Sequence, residues 1–267
     1  MFFVLNDDKC IKCAQCAQVC PGYLVKMDNE KGPSLPVAHE KFCIQCGHCA
    51  AVCPTGAVNL EFMPNLNTSD YTALNYDSAM SLVRNRRSIR RYEKTLPDQE
   101  VIKRLLALAN YAPTAHNNQQ VSWRLFTDPN SMAGLTVDWI SSLKQTDPEL
   151  FFYLGGASIL AMWRKGVDSI MRSAPYLLVA CNHDDNDMGR IDAAIAASYV
   201  DLLAPTMGLG CCWAGYFMFA LNSGYPPILQ ALQLEKGQKA YVGLMLGIPA
   251  TRYHAWPERK LADLEIL

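Results

Sequence analysis

Neither sign of charge dominates this 267-residue sequence: 24 lysines and arginines face 25 aspartates and glutamates, a formal net charge of −1. The balance also holds locally, since residues 1–65 carry five lysines against six acids and the remainder 19 bases against 19 acids. Nothing in that distribution is built for a nucleic acid, which is not an expected partner. An unbroken apolar run of membrane-spanning length is also lacking. Ala193–Leu221 comes nearest, with Asp201 as its one charge, but Pro205, Gly208, Gly210 and Gly215 interrupt it. The breaks and the mid-span acid suit a buried helix, a turn and the start of a buried strand, so no membrane contact is expected. No basic stretch precedes Phe2-Phe3-Val4-Leu5, and Asp7 and Asp8 follow at once, so the sequence predicts no secretory leader. The expected setting is cytoplasmic, with reduced thiols.

What is abundant is cysteine. Eight of the eleven cysteines fall into two copies of C-x2-C-x2-C-x3-C-P: Cys10, Cys13, Cys16, Cys20 before Pro21, and Cys43, Cys46, Cys49, Cys53 before Pro54. This is the bacterial ferredoxin run for two 4Fe–4S clusters. A cubane cluster needs four soft thiolates converging on one small object, and a cysteine at every third residue presents three of them to one centre. The fourth cysteine points away from its own loop and by that rule ligates the other cluster. Cys10, Cys13, Cys16 and Cys53 are thus expected to hold one cluster, and Cys43, Cys46, Cys49 and Cys20 the other. Structural zinc would need four ligands in two separated pairs rather than two runs of four. Disulfides would need an oxidising compartment.

The composition changes near residue 65, which suggests a ferredoxin-type domain over 1–63, a polar linker over 64–75 and a second domain over 76–267. The first part has little contiguous apolar sequence and about 60 residues, so the clusters are expected to act as its staples. In the second part helical and strand patterns alternate as α+β rather than as a regular βαβ array. Helices are expected over 98–110, capped by Asp98 with Val101, Leu105 and Leu108 on one face, and over 132–143, 157–167 and 192–207. Strands are expected over 123–126, 174–181 and 240–247.

Three segments of this second part resemble the FMN-dependent nitroreductase family, in that family's order: Arg86-Arg87-Ser88-Ile89-Arg90-Arg91-Tyr92, Ala112-Pro113-Thr114-Ala115-His116-Asn117-Asn118-Gln119, and Gly208-Leu209-Gly210-Cys211-Cys212-Trp213-Ala214-Gly215-Tyr216-Phe217. With the cysteine runs, the whole is similar to a ferredoxin–nitroreductase fusion. The resemblance implies a mixed sheet flanked by helices, in an intertwined homodimer with FMN at the subunit interface. It places Arg86, Ser88 and Arg90 on the FMN phosphate, with Arg87 on the backbone or ribityl side. Pro113, Thr114, Ala115 and Asn117 would lie along the ring, the N–H groups of Gly215 and Tyr216 near N5 and O4, and the Arg259-Lys260 pair at the phosphate.

The residues carry physical readings of their own. Five arginines between Arg84 and Arg91 could be a solvated helix end or a basic patch, but a serine set among them suits a phosphate monoester, which takes charged donors together with a hydroxyl. His116 could protonate a substrate or simply be solvated in a polar loop. Gly208-Leu209-Gly210 is no dinucleotide fingerprint, because it follows a helix rather than a strand. Cys211 and Cys212 read as small strand residues and Met171, Met188, Met207, Met218 and Met245 as core fillers. The acidic run Asp184–Asp187 lacks the fuller spacing of a calcium loop. The expected function is an iron–sulfur flavoprotein oxidoreductase that needs no side-chain catalyst. It would pass electrons between the two clusters and FMN and reduce a small nitroaromatic- or quinone-like acceptor, with the direction between clusters and flavin, and ferredoxin or NAD(P)H as redox partner, left open. The rival readings are electron transfer to a protein partner and a redox or flavin sensor without turnover.

Overall fold

The computed structural model describes residues 2–63, 73–260 and 262–267. Most of the expected linker, residues 64–72, lies outside them. Contacts divide the chain into two units: Met1–Ala73 with His116–Asn118, and Leu74–Ala115 with Gln119–Leu267.

The first unit is two cysteine loops held by short ladders. Strands β1 (Phe3–Leu5) and β4 (Val58–Leu60) pair antiparallel, as do β2 (Lys26–Asp28) and β3 (Gly32–Ser34). Three single-turn helices complete it: α1 (Gln15–Gln18), α2 (Val37–Glu40) and α3 (His48–Ala51). The two loops repeat one backbone path. Lys12 and Ala14 in the first, and Gln45 and Gly47 in the second, are all left-handed, at φ 53°, 62°, 52° and 75°. Only one of these is glycine, so three side-chain-bearing residues hold a sparsely populated conformation in order to curl the loops. The apolar core is small: Phe3, Cys16, Val25, Leu35, Ala50, Val58 and Leu60.

The second unit is a four-stranded sheet between two layers of helices. Its elements, in chain order, are α4 (Tyr76–Asn85), α5 (Gln99–Ala109), β5 (Ser122–Phe126), α6 (Asn130–Thr146), α7 (Pro148–Tyr153), α8 (Gly156–Arg164), β6 (Tyr176–His183) and α9 (Gly189–Leu203). There follow β7 (Gly210–Trp213), α10 (Gly215–Asn222), α11 (Pro226–Ala231) and β8 (Gln238–Gly247). The strand order is β5-β6-β8-β7 with antiparallel neighbours throughout. The mixed character expected of the sheet comes from one parallel bridge, Ser88 to Cys211, at the β7 edge. Among the described residues no helix is long and apolar enough to cross a membrane.

Strand β6 organises the core. Its side chains alternate between faces: Leu177, Val179 and Cys181 enter the cluster under α6, α8 and α10, and Tyr176, Leu178 and Ala180 the one under α5 and α9. The continuous apolar run follows from this double burial. Phe217 of α10, fully buried, lies where Gly243 of β8 has no side chain, since a Cβ there would come within 2.6 Å of its ring.

Local expectations were mostly met at the elements and less well at their faces and ends. Asp98 caps α5, accepting from Glu100 N at 2.9 Å. The buried face of α5, however, is Ile102, Leu105 and Ala109, while Leu108 is 39% exposed. Helix α9 ends at Leu203, and a 3-10 turn over Ala204–Met207 follows with Pro205 near its start. A proline cannot donate to the helical ladder, and its ring crowds the preceding turn. Replacing Phe217 by alanine is expected to cost about 3–5 kcal/mol, and by leucine clearly less. Urea unfolding followed by tryptophan fluorescence checks the order of the two variants.

Candidate functional site

None of the eight cysteines of the two runs forms a disulfide. One cavity, of about 230 Å³ and mostly apolar, is lined by Cys20, Cys43, Cys46 and Cys49. A second and much tighter one, about 20 Å³, is lined by Cys10, Cys13, Cys16 and Cys53. The fourth cysteine of each run therefore lines a cavity with the other run's first three. The repeat extends to the hydrogen bonds, for Leu24 N donates to Cys20 Sγ at 3.3 Å and Ala57 N to Cys53 Sγ at 3.2 Å. Burial pushes these two thiols up, but the backbone N–H groups around Cys20, and Thr55 with its neighbouring N–H groups around Cys53, outweigh it and leave both below the ordinary thiol value. Such donors favour the thiolate a cluster needs. Cys49 has fewer of them, and burial takes it to about 11. Among the described residues no three His, Cys, Asp or Glu side chains close tightly enough to hold a single metal ion. Each cysteine set instead lines one cavity, and four soft donors are the ligand set that a 4Fe–4S cluster takes.

The basic segment lies along strand β7. Ile89 N donates to Cys211 O at 2.8 Å, and Tyr92 Oη to Ile89 O at 2.6 Å. Gly210 permits the approach, since a Cβ there would come within 2.5 Å of Ile89. This docking spreads the arginines over different surroundings. Arg86, expected at the phosphate, gives Nη1 to Asp201 Oδ2 at 3.2 Å. Burial raises the Asp201 carboxyl, and Arg86 and Trp213 oppose that rise. Arg87 donates from Nη1 to Arg86 O at 2.8 Å and lines a cavity of about 450 Å³ with Arg84 and Arg252. Arg90 is exposed and lines a different cavity, of about 260 Å³, together with Cys212, Gly215 and Tyr216. Ser88 stands beside it, its hydroxyl against the Cys212 thiol.

Helix α10 starts at this cavity. Ala214 N is taken by Gly243 O, whereas the N–H groups of Gly215 and Tyr216 have no acceptor among the described residues. Unpaired first-turn donors are a ready site for negative charge. Arg90, Gly215 and Tyr216 thus line one cavity, with Ser88 behind it against Cys212, in a way that fits a flavin's negative charge.

The remaining expected residues lie elsewhere. Ala115 N donates to Asp192 Oδ1 at 3.0 Å, and Thr114 Oγ1 accepts from Gln119 N at 3.0 Å. Thr114 lines a cavity with Asn110 and Trp123, and Pro113 precedes it on an exposed stretch. Asn117, expected along the ring, instead gives Nδ2 to Ile44 O at 3.1 Å and Gln45 O at 3.2 Å within the first unit. His116 belongs to that unit too and borders the larger cysteine cavity. Both residues are left-handed, at φ 52° and 53°, and this turns their side chains out of the local 3-10 path. Arg259 and Lys260 are exposed in irregular chain.

Two buried acids of α9 were not assigned a role from sequence. Asp201 holds Arg86, and Asp192, 1% exposed, fixes Ala115 and accepts from Asn186 Nδ2 at 3.2 Å. Their signal was legible as isolated acids in an alanine-rich helix, which must find partners once buried.

The crossed cysteine arrangement has a direct consequence. Anaerobically reconstituted protein should hold about eight irons per chain, and Cys20→Ala should lose the same cluster as Cys43→Ala, not that lost in Cys10→Ala. Low-temperature EPR of the three reduced variants makes the comparison, and a Cys20→Ala spectrum matching Cys10→Ala would refute the assignment.

Comparison with known proteins agrees with both units. The 4Fe–4S dicluster domain profile matches residues 9–57, and the nitroreductase family profile matches residues 83–248. An FMN-bound nitroreductase from Bacteroides fragilis superposes with a TM-score of 0.54 at 18% identity, over 73% of this chain and 100% of that one. One from Desulfitobacterium hafniense gives 0.55 at 18% identity, over 70% and 97%. A Cr(VI) reductase of Pseudomonas sp. strain G-1 is 25% identical over 181 residues, 68% of this chain and 70% of the relative. With its larger unit matched along most of its length and its cysteine loops matched in front, the chain belongs to the nitroreductase family and carries a 4Fe–4S dicluster domain ahead of the family fold.

Proposed function

We propose that the protein is an iron–sulfur flavoprotein oxidoreductase that passes electrons between two 4Fe–4S clusters and FMN and delivers them to a small organic acceptor of nitroaromatic or quinone type. One observation carries the reading: Arg90 and the open start of α10 line one cavity, with Ser88 behind it against Cys212, in a chain whose other unit has two four-cysteine cavities. When bound, FMN accepts electrons singly or in pairs, which suits a junction between one-electron clusters and a two-electron acceptor.

The chain's own residues bind and orient. Arg90 and the Ser88 hydroxyl hold the phosphate, and Arg86, fixed by Asp201, keeps their segment against β7. The Gly215 and Tyr216 N–H groups face the ring edge, where fixed donors stabilise added negative charge without reorganising. Cys212, 4% exposed, closes the cavity floor against water. No side chain is assigned a proton transfer.

The cavity, about 260 Å³, is smaller than an ordinary cofactor pocket, and Phe219 on its rim and Phe152 and Tyr153 of α7 are exposed. These features support a homodimer in which a second copy completes the site. The name of the Pseudomonas relative adds chromate to the acceptors worth offering.

Two measurements test the proposal. Arg90→Ala should weaken FMN tenfold to hundredfold, the worth of one charged hydrogen bond, and leave riboflavin nearly unchanged because it has no phosphate. Fluorescence titration of both flavins decides, and equal weakening would misplace the site. In anaerobic stopped-flow, protein reduced by ferredoxin, NADH or NADPH in turn should be reoxidised by a nitroaromatic or a quinone far faster than in buffer. Reoxidation only by a protein partner would make it an electron carrier instead.

A further inference from the structure

The connection between α8 and β6 has no part in the site so far. Residues 168–173 wrap around one carboxylate: Asp168 Oδ1 accepts from Ile170 N and Met171 N, and Oδ2 from Ser173 N, each at 2.9 Å. Ile170 and Met171 are buried in the core, while Arg172 and Ser173 are both left-handed, at φ 57° and 53°. Two successive non-glycine residues in that region are costly and persist only where the surroundings impose them. Here the imposed turn sets Arg172 in the wall of the cavity that Arg90, Gly215 and Tyr216 line. Ser169 is in the same wall, with its Oγ buried and without a hydrogen-bond partner among the described residues.

Three features point to an anion at this place. Arg90, Arg172 and Cys212 line the same cavity, and both charges lower the Cys212 thiol against its burial. Among the described residues neither forms an ion pair. Both side chains are exposed at the cavity, and two positive charges lining it make it a favourable place for an anion. The buried hydroxyl of Ser169 likewise wants a partner. A flavin phosphate carries close to two negative charges, and Arg86, expected to share it with Arg90, is engaged by Asp201.

We propose that the 168–173 loop completes an oxyanion site in which Arg172 and Ser169 join Arg90 on the phosphate of FMN. The inference rests on the flavin reading above. Since a carboxylate or oxyanion on the acceptor would satisfy the same groups, the experiment separates the two sources.

The full-length protein, with clusters intact and flavin removed anaerobically, is titrated with FMN and with riboflavin by fluorescence. Arg172→Gln should raise the FMN Kd about tenfold to a hundredfold and leave the riboflavin Kd within about twofold, with Arg172→Lys recovering part of the loss. Ser169→Ala should weaken FMN by a smaller factor in the same selective way. An unchanged FMN Kd overturns the proposal. If, in addition, KM rises for nitrobenzoate or chromate but not for a neutral nitroaromatic, the anion held is the acceptor's. Equal loss of both flavins in the Gln and Lys variants also overturns it, making Arg172 a structural residue. A wild-type chain that binds neither flavin would instead refute the flavin reading itself.

Discussion

Strand β6 has no exposed face, and much of the second unit follows from that. A strand whose two rows of side chains are both apolar must be covered twice. Helices α5 and α9 cover one side and α6, α8 and α10 the other. That sandwich fixes where α9 presents its two acids and where α10 begins. The helix start is tied further by Phe217 over Gly243 and by the bond from Ala214 to Gly243 O. The candidate cavity is therefore built on the ends of packed elements, as a rigid cofactor site requires.

The two acids of α9 show how burial is turned to positioning. A carboxylate inside an apolar layer is unfavourable unless paired. Asp201 recruits Arg86 across 115 residues of sequence and so holds the basic segment beside β7. Asp192 takes Ala115 N and Asn186 Nδ2, which fixes the end of a loop that has few apolar contacts of its own. The cost of burying each acid is offset by a contact that orders a functional segment.

The first unit works on another principle. With seven buried core residues it has little apolar stabilisation, and its loops spend left-handed conformations at Lys12, Ala14 and Gln45. What would compensate is the proposed crossed arrangement: each cavity takes cysteines from both loops, so a cluster seated there would tie residues 10–20 to residues 43–53. Metal binding and folding are then one process.

The two cysteine runs and their dicluster character were legible in the sequence, because thiolate chemistry and loop spacing are local properties, and the proposed crossing rests on the one extra residue before each fourth cysteine. The basic segment and the Gly215-Tyr216 pair were picked out through the family resemblance rather than by local chemistry. The partners of the individual side chains were not. Arg86 meets Asp201, Asn117 turns to the main chain of the second cysteine loop, and Arg172 reaches the cavity of Arg90, each across some 70 residues or more. Those meetings depend on strand register, helix rotation and left-handed turns, which short-range pattern does not encode. Only the tertiary structure decided them, because a buried charge is satisfied by whichever partner the packing brings within reach.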